Sequence, residues 1–402
     1  MMIFILISNE IKKLMRRKKT IIIFIAFILL TIAIGFATYK ESLNQKQWAS
    51  PEFRQRNMEE SIKSQKQNLE DPNLSEEKKI NIKANITSME NALANIKLEI
   101  GGKPIDWKAQ LKESIDKLEK NINDKNSEMD DNQKNTMKSE LQLNKYLLAN
   151  NIKPEDQGTL FNALDFVKTL FMILGTVFIA VGVMVFTGDM VSGEFTPPTM
   201  KILLTQPVSR AKVLASKFIA VALSATVLIL VVELLSFLIM GLIFGFGNAS
   251  YPIMTGTTYK WDLAQSVYGG HPLVAVAGSS YIISTGEFVF RMFLMQTLFI
   301  ITCVSVAFML SSVVKSSMVS VSIGTVLVVA LTILVEMPAL KKLSQYMFTS
   351  YGSVGRVFTG EAAMMYNNPS LSTTFGIGVL IVTTVACYLI AHIVFTRKDI
   401  LI

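Results

Sequence analysis

Few side chains in this sequence could do chemistry, and the one that stands apart is Glu233, an acid in the middle of a long run of uncharged apolar residues. A carboxylate in such a run is costly and by default points to function. Three readings are open for it: a structural, hydrogen-bonded or protonated group, a group lining a polar translocation path, or a proton-coupling residue. Arg291 and Lys168 are its candidate partners. Asp165 with Lys168 at i, i+3 and Glu287 with Arg291 at i, i+4 also have the spacing of local helical pairs. The remaining groups do not assemble into a reaction centre. No G-x-x-x-x-G-K-[ST] phosphate loop occurs: GGKP at 101–104 lacks both the spacing and the hydroxyl, and GFGNAS at 245–250 ends an apolar run. HExxH, GxSxG and a paired-carboxylate arrangement are missing as well. GGHPLVAVAGSS around His271 offers no acid or cysteine as a fellow metal ligand, so that histidine reads as a surface or lid residue. Cys303 and Cys387 fall inside apolar runs and read as fillers. The chain is therefore expected to be no enzyme, to hold no metal and to carry no cofactor of its own.

A different kind of segment lies at 188–210, GDMVSGEFTPPTMKILLTQPVSR, polar and proline-rich between two strongly apolar runs. Pro197-Pro198 force a stop, TMKILLTQ then makes a short amphipathic segment, Pro207 ends it, and Ser209 is placed to cap the next helix. Such a segment is either an ordinary interfacial loop helix or a part built to be pushed.

The elements that must position these residues follow from composition. Half of the 402 residues are hydrophobic and 17% are charged, and six apolar runs are long enough to cross a bilayer as helices. We read spans at 20–38, 161–186, 213–246, 288–313, 318–337 and 373–395, the third longer than a bilayer needs. The fold class is an all-α polytopic membrane protein. Basic residues set the orientation. Lys12, Lys13 and Arg16 to Lys19 precede the first span, while Lys201, Arg210, Lys212 and Lys217 lie between the second and third. Lys315 joins the fourth and fifth, and Arg397 and Lys398 follow the sixth. Both termini are thus expected in the cytoplasm of a multi-pass plasma-membrane protein, with 187–212, 314–317 and 396–402 as inner segments. Residues 39–160 are close to charge balance, so the formal +8 resides in the membrane half and suits anionic lipid. No basic patch with stacking or groove-reading elements speaks for nucleic acid.

At the N-terminus the charges follow the first apolar residues, unlike a cleaved signal. Residues 1–19 put Ile3, Ile7, Ile11 and Leu14 at helical spacing among lysines and arginines, which suits a helix lying in the inner interface; a plain extension of the first span is the alternative. The insertion at 39–160 is too long for a structureless loop. Ile82, Ile86, Met89, Leu93, Ile96 and Ile100 are spaced four, three, four, three, four, a coiled-coil seam. Beyond the break at 101–104, Trp107, Leu111, Ile115, Leu118 and Ile122 make a second seam. Two helices packed across a glycine turn, with further helices at 53–70 and 126–150, give an outer helical domain, either a spacer or dimer contact or a recognition element. The other outer segments, 247–287 and 338–372, read as loops.

The order Glu194, Thr199, Lys201, Leu203-Leu204, Pro207-Val208-Ser209-Arg210 and Lys217 resembles the segment after the second span in type 2 ATP-binding-cassette (ABC) exporter permeases. The ending Phe395-Thr396-Arg397-Lys398-Asp399 is similar to the tail of that family. One departure is Pro198, where the family usually has glycine. The resemblance implies that Glu194 and Thr199 to Arg210, with Lys201, Leu203, Leu204, Pro207 and Ser209 among them, form a coupling helix docking into a separate ATPase subunit. That subunit would bind ATP and Mg. It further implies outward transport by a homodimer or a pair with a related permease, of a peptide antibiotic, a lipid-linked intermediate or a drug. A signalling or mechanotransmission subunit, or a membrane scaffold acting on an outer partner, is the alternative.

Overall fold

The computed structural model describes residues 2–69, 76–101, 106–124, 129, 131–155, 161–195, 208–263, 271–337 and 340–397. The chain divides into two units: Met1–Gly35 with Lys125–Leu143 and Asn162–Ile402, and Phe36–Asp124 with Asn144–Phe161.

Among the described residues six helical stretches are long and apolar enough to cross a membrane, in agreement with the six runs read from the sequence. They are α2 (Lys18–Ala49), the pair α7 (Ala163–Ile173) and α8 (Ile179–Thr187), α9 (Arg210–Phe244), α10 (Thr285–Val313), α11 (Ser317–Leu334) and α14 (Thr373–Arg397). The polytopic, predominantly helical class is therefore as expected. Ahead of α2 lies α1 (Met2–Met15), and the two are separate helices. The chain turns at Arg16-Arg17, Leu14 is buried, and Thr20 Oγ1 donates to the Leu14 carbonyl at 2.7 Å, satisfying one of the carbonyls that the break leaves open. A plain extension of the first span would have had no such corner.

In the first unit, α10 is central. Phe299, Ile300, Cys303 and Val304 on it are fully buried, and α14 lies alongside, joined where the Thr302 hydroxyl meets Thr384 Oγ1 at 3.0 Å and the Leu380 carbonyl at 3.2 Å. Phe171 of α7 stacks edge-on against Phe293. By contrast α9 leaves Leu223, Val227, Leu234, Leu238 and Leu242 uncovered, as a helix facing hydrocarbon or another helix would.

Between α7 and α8 the helix widens to a π-turn over Leu174–Phe178. Such bulges free a carbonyl and recur at functional places. Here the Ser353 hydroxyl donates to the Met172 carbonyl at 2.9 Å. Gly175 and Gly352 approach backbone to backbone, so a Cβ on either would strike the other's carbonyl. The segment that reaches in is the one between the fifth and sixth spans. Its 3-10 turns at Lys341–Tyr346 and Phe348–Tyr351 lead to α12 (Val354–Thr359) and α13 (Glu361–Met365). Phe348, Tyr351, Val354 and Val357 are buried there, and the Tyr351 hydroxyl donates to the Gln345 carbonyl. Burial pushes that phenol's pKa up. Residues 338–372, read from sequence as a loop, are thus largely a packed element.

The segment before α10 also differs from a loop. β1 (Pro252–Thr255) pairs antiparallel with β4 (Tyr281–Ser284), Pro252 opposite Ser284, and β2 (Tyr259–Trp261) pairs antiparallel with β3 (Leu273–Ala275). These two small ribbons are the sheet content that an all-α reading left out. Gly256, at φ +76, donates its N–H to the Phe358 carbonyl at 2.8 Å, a conformation glycine adopts without strain. Ser284 ends β4 and caps α10 by accepting from Glu287 N.

The second unit is built from helices. α3 (Pro51–Leu69) and α4 (Glu76–Ile100) run antiparallel, tied by Arg54–Glu99 at 2.6 Å, Lys97–Glu59 at 3.2 Å and Lys66–Glu90 at 2.7 Å. The pairing these bridges make is between α3 and α4, not across the 101–104 break. The first seam is also only half covered, with Ile86 and Ile96 buried and Ile100 exposed. In α5 (Trp107–Asn123), Leu111, Ile115 and Leu118 are buried. Its polar side meets the end of α6 (Asp131–Ala149) through Lys145–Glu119 at 2.6 Å and Asn144–Ser114 at 3.4 Å.

Candidate functional site: a buried ion cluster where α1, α8 and α9 meet

The helix α8 ends at Thr187. Residues 188–195 make a tight, buried turn ending in a short 3-10 piece, Ser192–Glu194. Its backbone needs partners that no helix supplies. The hydroxyl of Ser311, near the end of α10, accepts from both Val191 N and Ser192 N at 3.0 Å and also lies 3.2 Å from the Ser192 hydroxyl. Gly188 packs against Val321 of α11, leaving no room for a side chain. One side of the turn is thereby bolted to α10 and α11.

The other side is held by charge. Glu194, 3% exposed, pairs through Oε1 with Lys13 of α1 and, at 2.9 Å, with Lys217 of α9. Lys217 is itself 1% exposed and reaches Glu10 of α1 at 2.8 Å. Two carboxylates and two ammoniums interleave, so the cluster is neutral as a whole and each buried charge has an opposite neighbour, the condition under which burial of ions is tolerated. Asp189, at the start of the same turn, pairs with Lys19 at 2.9 Å and Arg17 at 3.5 Å. That second group fastens the α1–α2 corner. Five elements therefore converge on eight residues of turn.

Among the residues singled out from the sequence, Glu194 is in this cluster. Thr199, Lys201, Leu203, Leu204 and Pro207 lie outside the described residues. Ser209 occupies the N-cap position of α9, where the sequence put it, though its side chain makes no capping bond. Arg210 opens the helix. Glu233 is fully buried and accepts from the Gln296 side-chain amide of α10. The partners suggested for it are engaged elsewhere: Lys168 with Asp165 at 2.6 Å and Arg291 with Glu287 at 2.5 Å. Glu10 and Asp189 went unread because an isolated acid says nothing about a partner some 200 positions away. From the sequence, Lys13 is a marker of topology alone, and Lys217 is that and the close of the motif that begins at Glu194. A usable signal existed: Lys217 lies two full turns inside an apolar helix, where a lysine needs a carboxylate.

The cluster has no nucleophile or general base aimed at a cleft, and no group of three or more histidine, cysteine, aspartate or glutamate side chains that could hold a metal occurs among the described residues. What it can do is mechanical. It ties the turn that follows α8 to α1 and α9, so that drawing either helix away from the turn strands a buried charge.

Comparison with known proteins follows the same direction. The family model described as ABC-2 family transporter protein matches residues 4–400. An uncharacterised protein of Bacillus subtilis (strain 168), YhcI, is 26% identical over 300 residues, covering 73% of this chain and 84% of that protein.

Proposed function

Because this chain belongs to the ABC-2 family of transporters, and is thus the membrane component of an ABC transporter, we propose that it is an exporter permease driven through residues 194–210 by a separate ATPase subunit. The observation that carries this reading is the ion cluster at the root of the 196–207 segment, where Glu194 is bound to both Lys13 and Lys217. A segment that receives a push needs a stiff connection to the spans. Here that connection is made of buried charge pairs that join the turn after α8 to two helices, α1 and α9. Both termini face the cytoplasm in this reading, since the basic residues concentrate at that end, and α1 lies in the inner interface with its lysines at the headgroups.

ATP binding would close two partner ATPases, and each would move one 196–207 segment. The stroke would pass through Glu194 to α1 and α9, and the spans of two permease copies would reorient around a shared path. Such a shift requires that the closed ATPase pair favour one arrangement of the spans by its own interaction energy. ATP and Mg belong to the partner; this chain supplies binding surface and leverage. The cargo class we favour is an amphipathic peptide or lipid-linked compound, on the strength of the helical insertion at 39–160.

The reading is tested in the native host by comparing wild type, a deletion strain and a strain carrying Arg210→Glu for sensitivity to antimicrobial peptides and drugs. Export predicts that deletion and Arg210→Glu are equally sensitised to at least one compound. Equal resistance of all three across the panel argues for the alternative, a subunit that transmits ATPase strokes to an outer partner and moves nothing.

A further inference from the structure

Glu233 and Gln296 present an unfinished hydrogen-bond pattern in the interior of the spans. Glu233 Oε1 accepts from Gln296 Nε2. The other two oxygens of the pair, Glu233 Oε2 and Gln296 Oε1, are both buried and both without a partner. An ionised carboxylate and an amide carbonyl are acceptors only, so no rotation of these two side chains satisfies both atoms. Leaving them so is expensive. A primary amide and a carboxylic acid, by contrast, match through two hydrogen bonds of opposite sense: the amide N–H gives to one acid oxygen, and the acid O–H gives to the amide oxygen.

We propose that Glu233 is a proton-binding site, holding its proton on Oε2 and donating it to Gln296 Oε1, so that α9 and α10 are latched by a neutral acid–amide pair. One added proton removes both orphaned atoms and the buried charge together.

The charged and titratable groups on the helices packed against α9 do not offer an alternative. On α7, Asp165 and Lys168 pair with each other, and on α10 so do Glu287 and Arg291. On α1, Glu10 and Lys13 belong to the Lys217 cluster, and Lys12 lies beside them in sequence. α8 has no titratable residue. Cys303 of α10 and Cys387 of α14 are free thiols, while Tyr388 stacks on Phe218 and His392 lies beside Tyr388. Arg397 ends α14. Among the described residues Glu233 has no ion pair, and an unpaired carboxylate in hydrocarbon takes up a proton before it accepts that cost.

The experiment is infrared spectroscopy of the full chain in lipid nanodiscs, with carbon-13 label in the glutamate side-chain carboxyl. A protonated-carboxyl carbonyl band that shifts with the label is expected at neutral pH, where ordinary glutamates, with a pKa of about 4.3, are ionised. Glu233→Gln should abolish it, and Gln296→Leu should move it as the amide partner is lost. If Glu233→Gln fails to fold, Glu233→Asp takes its place: its carboxyl lies outside the glutamate label, so the label-sensitive band should disappear there too. Absence of a label-sensitive band at neutral pH overturns the proposal. So does a band that survives in Glu233→Gln, or one that vanishes when sodium or potassium salt replaces choline salt, which would make the site a cation site.

Discussion

Glu194 and Glu233 are both almost inaccessible carboxylates in the same unit, and the molecule treats them in opposite ways. Glu194 stands where α1, α8 and α9 meet, and two lysines neutralise it. Glu233 stands well inside a span and receives one amide. The first arrangement keeps charges and gains connection between elements; the second is consistent with giving the charge up. The difference follows from depth. At the end of a span long basic side chains can be brought in: Lys13 keeps nearly half of its side chain exposed, and Lys217, though buried, has two acids to offset its desolvation. Deeper in hydrocarbon a lysine would be as costly as the acid it neutralised.

The largest effect that would break or sharpen this contrast is expected from Lys217→Met. It removes the ammonium shared by Glu10 and Glu194 and leaves both buried acids short of charge, which costs about 3–5 kcal/mol for a pair of this kind. Thermal unfolding of the purified chain should show a large fall, partly recovered when Glu194→Gln is added. An unchanged midpoint would mean the cluster is not a buried electrostatic knot. Smaller is Gln296→Leu, which deprives Glu233 of its only hydrogen-bond partner among the described residues at a cost of about 1–3 kcal/mol. Glu233→Gln beside native Gln296 should cost less than that, since one amide–amide bond can replace what is lost. The reverse order would place a charge where we place a neutral acid. Smallest is Arg54→Ala on α3. Its bridge to Glu99 is partly exposed on both sides, and such pairs contribute about 0–1 kcal/mol, a difference that raised salt should erase.

How much of this was legible in the sequence varies with the range of the interaction. The six spans were readable because hydrocarbon imposes a minimum run of apolar residues, and 213–246 or 288–313 can satisfy nothing else. The corner at Arg16-Arg17 was half readable: clustered basic residues suit an interface, but the Thr20-to-Leu14 bond that closes the first helix leaves no pattern. The seam at 82–100 identified a helix that wants a partner without identifying the partner. Complementary charges at Arg54, Glu59 and Lys66 chose α3, and those are visible only once the antiparallel register is known. The Lys217 cluster was half readable: a lysine two turns inside an apolar helix calls for an acid, but that the acids are Glu10 and Glu194, with Lys13 beside them, shows only once the helices are placed. Gln296 is the instructive omission. A polar amide inside the fourth span is the natural companion for an acid inside the third, and the search for a partner considered only opposite charges. The β ribbons at 252–284 were missed because strands of three or four residues among glycines and serines carry too little alternation to be told from loop.

The central claim is that the chain leaving Glu194 and returning at Ser209 meets an ATPase on the inner side of the membrane. It is tested most directly by placing a photo-crosslinking amino acid at Ser209 and, separately, at His271, irradiating native membranes and identifying the adducts by mass spectrometry. The account predicts that position 209 captures a protein with a phosphate-loop ATPase sequence and that position 271 does not. Capture of that ATPase from 271, or labelling of a cysteine at 209 by a membrane-impermeant reagent added outside intact cells, would contradict it.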